Sequence, residues 1–262
     1  MASVTFRIWR SAGTGAGAGG STRSAGDGGG FQEYTTETYE GMVVLDALLD
    51  IQSEQAPDLA IRWNCKAGKC GSCSAEVNGM PRLSCMTRLS ELPAGRPVSV
   101  EPMRTFPIIK DLVTDVSGNF EIKKRIKPFR PCPPEADGSW RMAQQDIDRV
   151  QEFRKCIECF LCQDVCHVLR DHHRHDAFIG PRYFVHVAAL EMHPLDTEDR
   201  REELKSAQGI GYCNITKCCT AVCPENITIT DNAIIPLKER VVDEFYDPIR
   251  KLLRIFRPRG GA

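Results

Sequence analysis

The chain has 262 residues, enough for two modest domains, with a formal net charge of −1 and 13 cysteines. A charge so near zero supplies no field to draw nucleic acid or a strongly charged partner. No stretch approaches the ~20 apolar residues of a membrane-spanning helix, and the longest apolar run, around 42–49, already contains Asp46.

The N-terminal VTFRIWR (4–10) alternates as a strand does and lacks the apolar core of a signal peptide. It predicts a soluble chain in the compartment of synthesis. Residues 11–30, SAGTGAGAGGSTRSAGDGGG, read as a loop. Gly15, Gly17 and Gly20 match a dinucleotide-binding spacing, and Glu40 lies at the distance of a ribose-binding acid. That motif needs a helix starting at the glycines to hold pyrophosphate, and STRSAGDGGG cannot supply one. FQEYTTETYE (31–40) has the Tyr and Thr content of a partner strand. MVVLDALLDIQSEQ (42–55) puts Leu45, Leu48 and Leu49 on one helical face with acids opposite. Short strands follow up to PVSVEP (97–102), and MRTFP (103–107) connects to a second half that reads as helical. Its candidate helices are 111–129, 141–155, 181–193, 197–207 and 232–246, with Pro236 a start or a kink. The link RPCPPEADGSW (130–140) is turn-rich and contains Cys132, a free thiol in this reading. The end, RKLLRIFRPRGG (250–261), packs basic residues around Leu252, Leu253 and Phe256, as a membrane-side segment or a solvated tail would.

An odd number of cysteines in a reducing compartment argues against a disulfide framework, and their clustering points to metal. CKAGKCGSC sets Cys65, Cys70 and Cys73 in a C-x4-C-x2-C spacing, with Cys85 following. This is the plant-type spacing for a 2Fe–2S cluster. Gly68 and Gly71 let the loop turn its N–H groups toward the sulfurs. A zinc site is the rival reading.

CIECFLCQDVCH (156–167) carries Cys156, Cys159, Cys162 and Cys166. In two-cluster ferredoxins such a run gives three thiolates to its own cluster and the fourth to the other. CNITKCCTAVCP supplies Cys213, Cys219 and Cys223 at the first, third and fourth places, with Thr216 at the second. Cys156, Cys159, Cys162 and Cys223 then make a complete 4Fe–4S site. Cys166, Cys213 and Cys219 make a site of three thiolates, which predicts a 3Fe–4S cluster with Thr216 at the open corner. Cys218 is the rival fourth ligand. His167, His172, His173 and His175 crowd the same region, as a proton route, a quinone contact or a solvated loop.

The RWNCKAGKCGSC loop, the PIIKDLV segment (107–113) and FIGP (178–181), together with this three-cluster combination, resemble the iron–sulfur subunits of succinate dehydrogenase and fumarate reductase. The resemblance implies an α+β chain: a plant-type ferredoxin (β-grasp) domain over 1–105, then an all-α, bacterial-ferredoxin-like two-cluster domain over 106–262. It implies electrons arriving from FAD in a flavoprotein partner and leaving to a quinone, menaquinone or ubiquinone, beside a membrane anchor on the cytoplasmic face of a bacterial membrane. It puts His167, Asn214 and Thr216 nearest the quinone. Family members commonly carry proline at the position of His167, a Trp a few residues on, and histidine at the position of Asn214. Fumarate reduction, the reverse direction, is left open by the cysteines, as are a free-standing ferredoxin-like carrier and a zinc-stabilised interaction module.

Overall fold

The computed structural model describes residues 2–12, 28–249 and 252. The dinucleotide-motif glycines and the basic C-terminal segment, Leu252 apart, lie outside the described residues.

Strand β1 (Ala2–Arg10) pairs antiparallel with β2 (Gly30–Thr38), as their alternation predicts, with Phe6 opposite Tyr34. Phe6 and Ile8 are fully buried, while Arg7 between them is exposed. Helix α1 (Val44–Glu54) follows, and Asp46 turns back so that its Oδ2 accepts the Val43 N–H at 3.2 Å, holding the first turn. The helix serves two cores. Leu48 and Ile51 pack with the sheet, while Leu45 and the half-buried Leu49 pack elsewhere, so the predicted apolar face is split. β3 (Ser74–Val77) and β4 (Met80–Leu83) form a hairpin whose turn is Asn78 and Gly79, both at positive φ as a tight two-residue turn demands. β5 (Val98–Glu101) runs parallel to β1 and antiparallel to β3, giving the strand order β2-β1-β5-β3-β4.

The stretch 111–129, expected to be helical, starts as something else. β6 (Ile108–Lys110) and β7 (Val113–Thr114) form a small hairpin, and helix α2 (Ser117–Arg125) begins only afterwards. Residues 106–262 are therefore not wholly helical. The cause is Asp111. It occupies the left-handed region at φ 46°, where Asp is better tolerated than most residues, and turns the chain. Its buried carboxylate accepts the N–H groups of Ser11 at 2.8 Å and Ala60 at 2.9 Å and pairs with Arg10 Nε at 3.3 Å. Leu112 beside it joins the core of the first sheet.

The second half is built from short helices: α3 (Gln144–Gln151), α4 (Leu161–Asp164), α5 (His167–Arg170), α6 (Pro181–Glu191), α7 (Arg201–Lys205), α8 (Cys218–Ala221) and α9 (Ile235–Phe245). The helix expected over 197–207 shrinks to α7 because Arg200 is drawn inward. Fully buried, it donates to the carbonyls of Lys127 at 3.0 Å and Pro128 at 2.7 Å and pairs with Asp196 at 2.9 Å. Pro236 lies in the first turn of α9, where its missing N–H is no loss, and the turn before it widens to a π-helix (Ile229–Ile234). Phe178, Phe184, Val187, Ile234 and Leu237 centre the second core. A third cluster forms the seam between halves, where Leu45, Leu83, Met103 and Phe106 meet Cys73, Cys85, Cys159, Phe160 and Leu161.

Asp111→Ala would leave two backbone N–H groups without their acceptor and take from Arg10 one of its two carboxylates, Asp58 remaining. We expect it to lower the unfolding free energy by about 3–5 kcal/mol, read as an earlier urea midpoint, with Asp111→Asn losing less.

Candidate functional site

The first thiol loop is shaped by its left-handed residues Lys66, Gly68 and Gly71. The N–H groups of Ala67 and Lys69 donate to Cys65 Sγ at 3.4 and 3.3 Å, the backbone-to-sulfur contacts that the loop glycines predict. Cys73 precedes β3, and its carbonyl accepts both the N–H and the hydroxyl of Ser84, at 3.1 and 3.0 Å. The β3–β4 hairpin thereby brings Cys85 against Cys73, and both are buried. Burial pushes the Cys73 thiol up to about 12. Burial also pushes Cys70 upward, but hydrogen bonds from Ser72 and from the Cys65 side outweigh it and bring that thiol down to about 6.

The second and third loops repeat one backbone. Glu158 and Phe160 are left-handed at φ 54° and 62°, and Ile215 and Lys217 at 63° and 61°. Each pair leads into a four-residue helix, α4 or α8. At a constant offset Cys156, Cys162 and Cys166 correspond to Cys213, Cys219 and Cys223, and Thr216 stands where the other loop has Cys159. Cys218 stands where the other loop has Leu161, a packing residue.

Cys156, Cys159, Cys162 and Cys223 line one cavity together with Phe160, Arg182, Val185 and Ile227. The last thiol of the third run has thus crossed to the second. Burial drives Cys159 up to about 12, with the charges of Cys156 and Cys223 adding. Cys166 goes the other way: burial raises it to about 11, and its charged neighbours are Cys218 and Cys213. Cys219 is raised by its hydrogen bond with Cys218 and by burial. Cys218 is brought down to about 5, first by that same bond and then by Thr216 and His167, with Thr216 Oγ1 donating to its Sγ at 3.3 Å. Among the described residues no three His, Cys, Asp or Glu side chains close on one point as a single bound ion requires. The thiols instead ring a space, as donors to separate irons of one cluster do.

The first and second loops touch. A β-carbon on Gly71 would lie 2.6 Å from Cys159 Cα, and Gly71 is itself left-handed at φ 69°. Ser74 Oγ sits 2.9 Å from the carbonyl oxygens of both Gly71 and Cys159 and bridges them. Gln163 secures the other side. Its amide donates to Ile179 O at 3.0 Å and accepts the Arg182 N–H at 3.3 Å, and it fills the space a side chain at Gly180 would need. Sequence reasoning missed Ser74 and Gln163, because nothing in their local pattern marks a residue that ties two distant loops.

His167 is half-buried at the start of α5, its ring 6.0 Å from that of His172. Asn214 and Thr216 are exposed beside the exposed Tyr212 and Ile215, and His172, His173 and His175 are exposed on their loop. Cys132 joins none of the groups. Its N–H donates to Leu195 O, and its carbonyl accepts Trp140 Nε1 at 3.0 Å. No helix among the described residues is long and apolar enough to cross a membrane.

Two families match in chain order: a 2Fe-2S iron-sulfur cluster binding domain over residues 6–121 and a 4Fe-4S dicluster domain over residues 152–227. The fumarate reductase iron-sulfur subunit of Mycobacterium tuberculosis is 35% identical over 205 residues, covering 75% of this chain and 80% of the relative. The succinate dehydrogenase iron-sulfur subunit of Bacillus subtilis is 27% identical, covering 76% of this chain and 81% of the relative. A chain of the Mycobacterium smegmatis Sdh1 complex in the apo form is 55% identical, with a TM-score of 0.85, and covers 94% of this chain and 98% of that one. Two iron–sulfur domains in this order, at this similarity over most of both partners' lengths, mean that the chain belongs to the family of iron–sulfur subunits of succinate dehydrogenases and fumarate reductases.

Proposed function

We propose that this chain is the electron-carrying subunit of a membrane-bound succinate dehydrogenase, placed between FAD in a flavoprotein partner and a quinone beside a membrane anchor, on the cytoplasmic face of a bacterial membrane. Cys65, Cys70, Cys73 and Cys85 hold a 2Fe–2S cluster. Cys156, Cys159, Cys162 and Cys223 hold a 4Fe–4S cluster. Cys166, Cys213 and Cys219 hold a 3Fe–4S cluster. When bound, the clusters supply one-electron carriage in that order.

The observation that carries this reading is the backbone repeat between the second and third loops, with Thr216 at the place of Cys159. Thiolate is the donor that iron–sulfur clusters use, and a threonine hydroxyl is a poor substitute for it. Three thiolates therefore face one open corner, which suits a three-iron occupant. Cys218 answers to Leu161, a packing position, and its sulfur accepts the Thr216 hydroxyl. That favours a neighbour of the cluster over a ligand.

The chain's other residues position these groups. Gly71 and Ser74 hold the first loop against the second with no side chain between. His167, Asn214 and Thr216 form the face toward the quinone, with Tyr212 and Ile215 supplying exposed apolar surface. The strand order β2-β1-β5-β3-β4 with α1 supports a plant-type β-grasp fold for a first domain over 1–105. The paired loops support a bacterial-ferredoxin-like second domain over 106–262, whose β6–β7 hairpin grips the first. A second reading, fumarate reductase, is favoured by the name of the Mycobacterium tuberculosis relative. Steady-state rates in both directions with matched quinone and quinol separate the two.

EPR of the oxidised and stepwise-reduced complex tests the assignment: three distinct centres are expected, with a three-iron signal in the oxidised state. Thr216→Cys is expected to abolish that oxidised signal, replace it with a reduced four-iron signal, and slow quinone reduction. An oxidised three-iron signal unchanged in this variant would remove Thr216 from the open corner. Gly71→Ala is expected to lower stability by about 1–3 kcal/mol through strain at a left-handed, tightly enclosed position. It should also slow succinate-driven reduction of the four-iron centre relative to the two-iron centre, followed by freeze-quench EPR.

A further inference from the structure

Arg182, the second residue of α6, is 5% exposed and lines the cavity of Cys156, Cys159, Cys162 and Cys223. Its backbone N–H is held by Gln163, the neighbour of Cys162. Its Nη2 meets Glu158 Oε1 at 2.5 Å, and Lys123 Nζ reaches the same oxygen at 2.5 Å. Two cations thus share one carboxylate beside the cavity. The Arg182 Nε is buried and has no hydrogen-bond partner. A donor on a buried cation is costly to leave unpaired, and such groups call for an acceptor that occupies the neighbouring space.

We propose that Arg182 tunes the reduction potential of the group held by these four thiolates, offering its Nε–H and its charge to the cluster, with Glu158 as the opposing charge that holds the guanidinium in place. The inference rests on the ligand assignment above. Its physics is a matter of sign. Adding one electron makes a thiolate-bound cluster one unit more negative. A cation beside it in a dry cavity stabilises the reduced form more than the oxidised form and raises the potential, whereas a carboxylate lowers it. Hydrogen bonds to the sulfurs act in the same direction as the cation. Glu158 lies between two of the thiols in sequence and Arg182 reaches the same cavity from α6, so both levers bear on one site.

The test is a potentiometric EPR titration of the four-iron signal in the assembled complex, with iron and sulfide content confirming that each variant is loaded. Arg182→Gln is expected to favour the oxidised form about tenfold at a fixed ambient potential, a downward move of ~59 mV for one electron. Glu158→Gln is expected to move the potential upward, and Arg182→Lys, which keeps the charge without the fork, to fall between the parent and Arg182→Gln. The two-iron titration should stay in place. A merely structural role would not shift the two charge variants in opposite directions. Unmoved four-iron potentials, or shifts of the same sign in Arg182→Gln and Glu158→Gln, overturn the inference and leave the ligand assignment standing. If Arg182→Gln does not load its cluster, Arg182→Lys and Glu158→Gln decide the matter by the same signs. A parent complex with no four-iron signal overturns the assignment and this inference together.

Discussion

One contact governs how this molecule is arranged: the backbone of Gly71 pressed against that of Cys159. The first thiol loop belongs to a β-sheet and the second to a set of short helices, and nothing in covalent geometry requires them to meet. They meet because Gly71 has no β-carbon and sits at a positive φ, so its peptide can approach where any side chain would collide. Ser74 then lies between the two carbonyls, its single hydroxyl proton shared between Gly71 O and Cys159 O. The apolar seam around them, Leu45, Leu83, Met103, Phe106, Phe160 and Leu161, excludes water from the approach. Cys73, Cys85 and Cys159 are members of that same seam. The packing that joins the halves and the packing that surrounds the thiols are one set of contacts.

The seam also carries charge, and burial makes that charge selective. Glu76 on β3 is fully buried and pairs with Arg104 at 3.1 Å and with Arg170 on α5 at 3.1 Å. Asp164 on α4, also fully buried, accepts the Thr105 N–H at 2.9 Å. Burial pushes Glu76 up to about 7, and the charge of Asp164 adds to this, while Arg170 and Arg104 pull the other way. Buried ion pairs add little to stability that apolar packing could not supply, because desolvation offsets the attraction. What this network supplies is register. A slide of one half past the other would strand a carboxylate or a guanidinium without its partner, a far larger loss than a few misplaced methyl groups.

How much was legible in the sequence follows the range of the interaction concerned. The thiol runs could be read because cluster ligation imposes fixed spacings, and the placing of Cys223 with Cys156, Cys159 and Cys162 follows from the way two-cluster ferredoxins exchange the last thiol of each run. Strands β1 and β2 could be read because burial on one sheet face imposes alternation, as at Phe6 and Ile8. Helices α4, α5 and α8 could not, since four residues carry no helical period. The turn at Asp111 and strand β7 fall inside the stretch 111–129 that reads as a helix, because that turn depends on Asp111 reaching Ser11 and Ala60, far away in the chain. Arg200 looks like an ordinary helix-surface arginine, and only the carbonyls of Lys127 and Pro128 reveal why it is buried. The same holds at the thiol sites: Ser74, Gln163 and Arg182 act through partners that no local pattern identifies.

The second and third thiol loops differ in what surrounds them. Around the second loop the sulfurs of Cys159 and Cys162 are buried, so charge there is screened little and a neighbouring Arg182 acts strongly. Around the third loop Asn214, Thr216 and Lys217 are exposed, and Tyr212 and Ile215 leave apolar surface open beside them. Water reaches that turn, and charge there is screened. Burial keeps solvent from following charge inward at the second loop, and exposure lets it do so at the third. The replacement of a cysteine by Thr216 falls at that open turn, where the loop is no longer enclosed by the seam. The thiols themselves do not follow this difference, since Cys166 and Cys219 are as buried as Cys159 and Cys162; what opens to solvent is the turn around Thr216 that precedes Cys219.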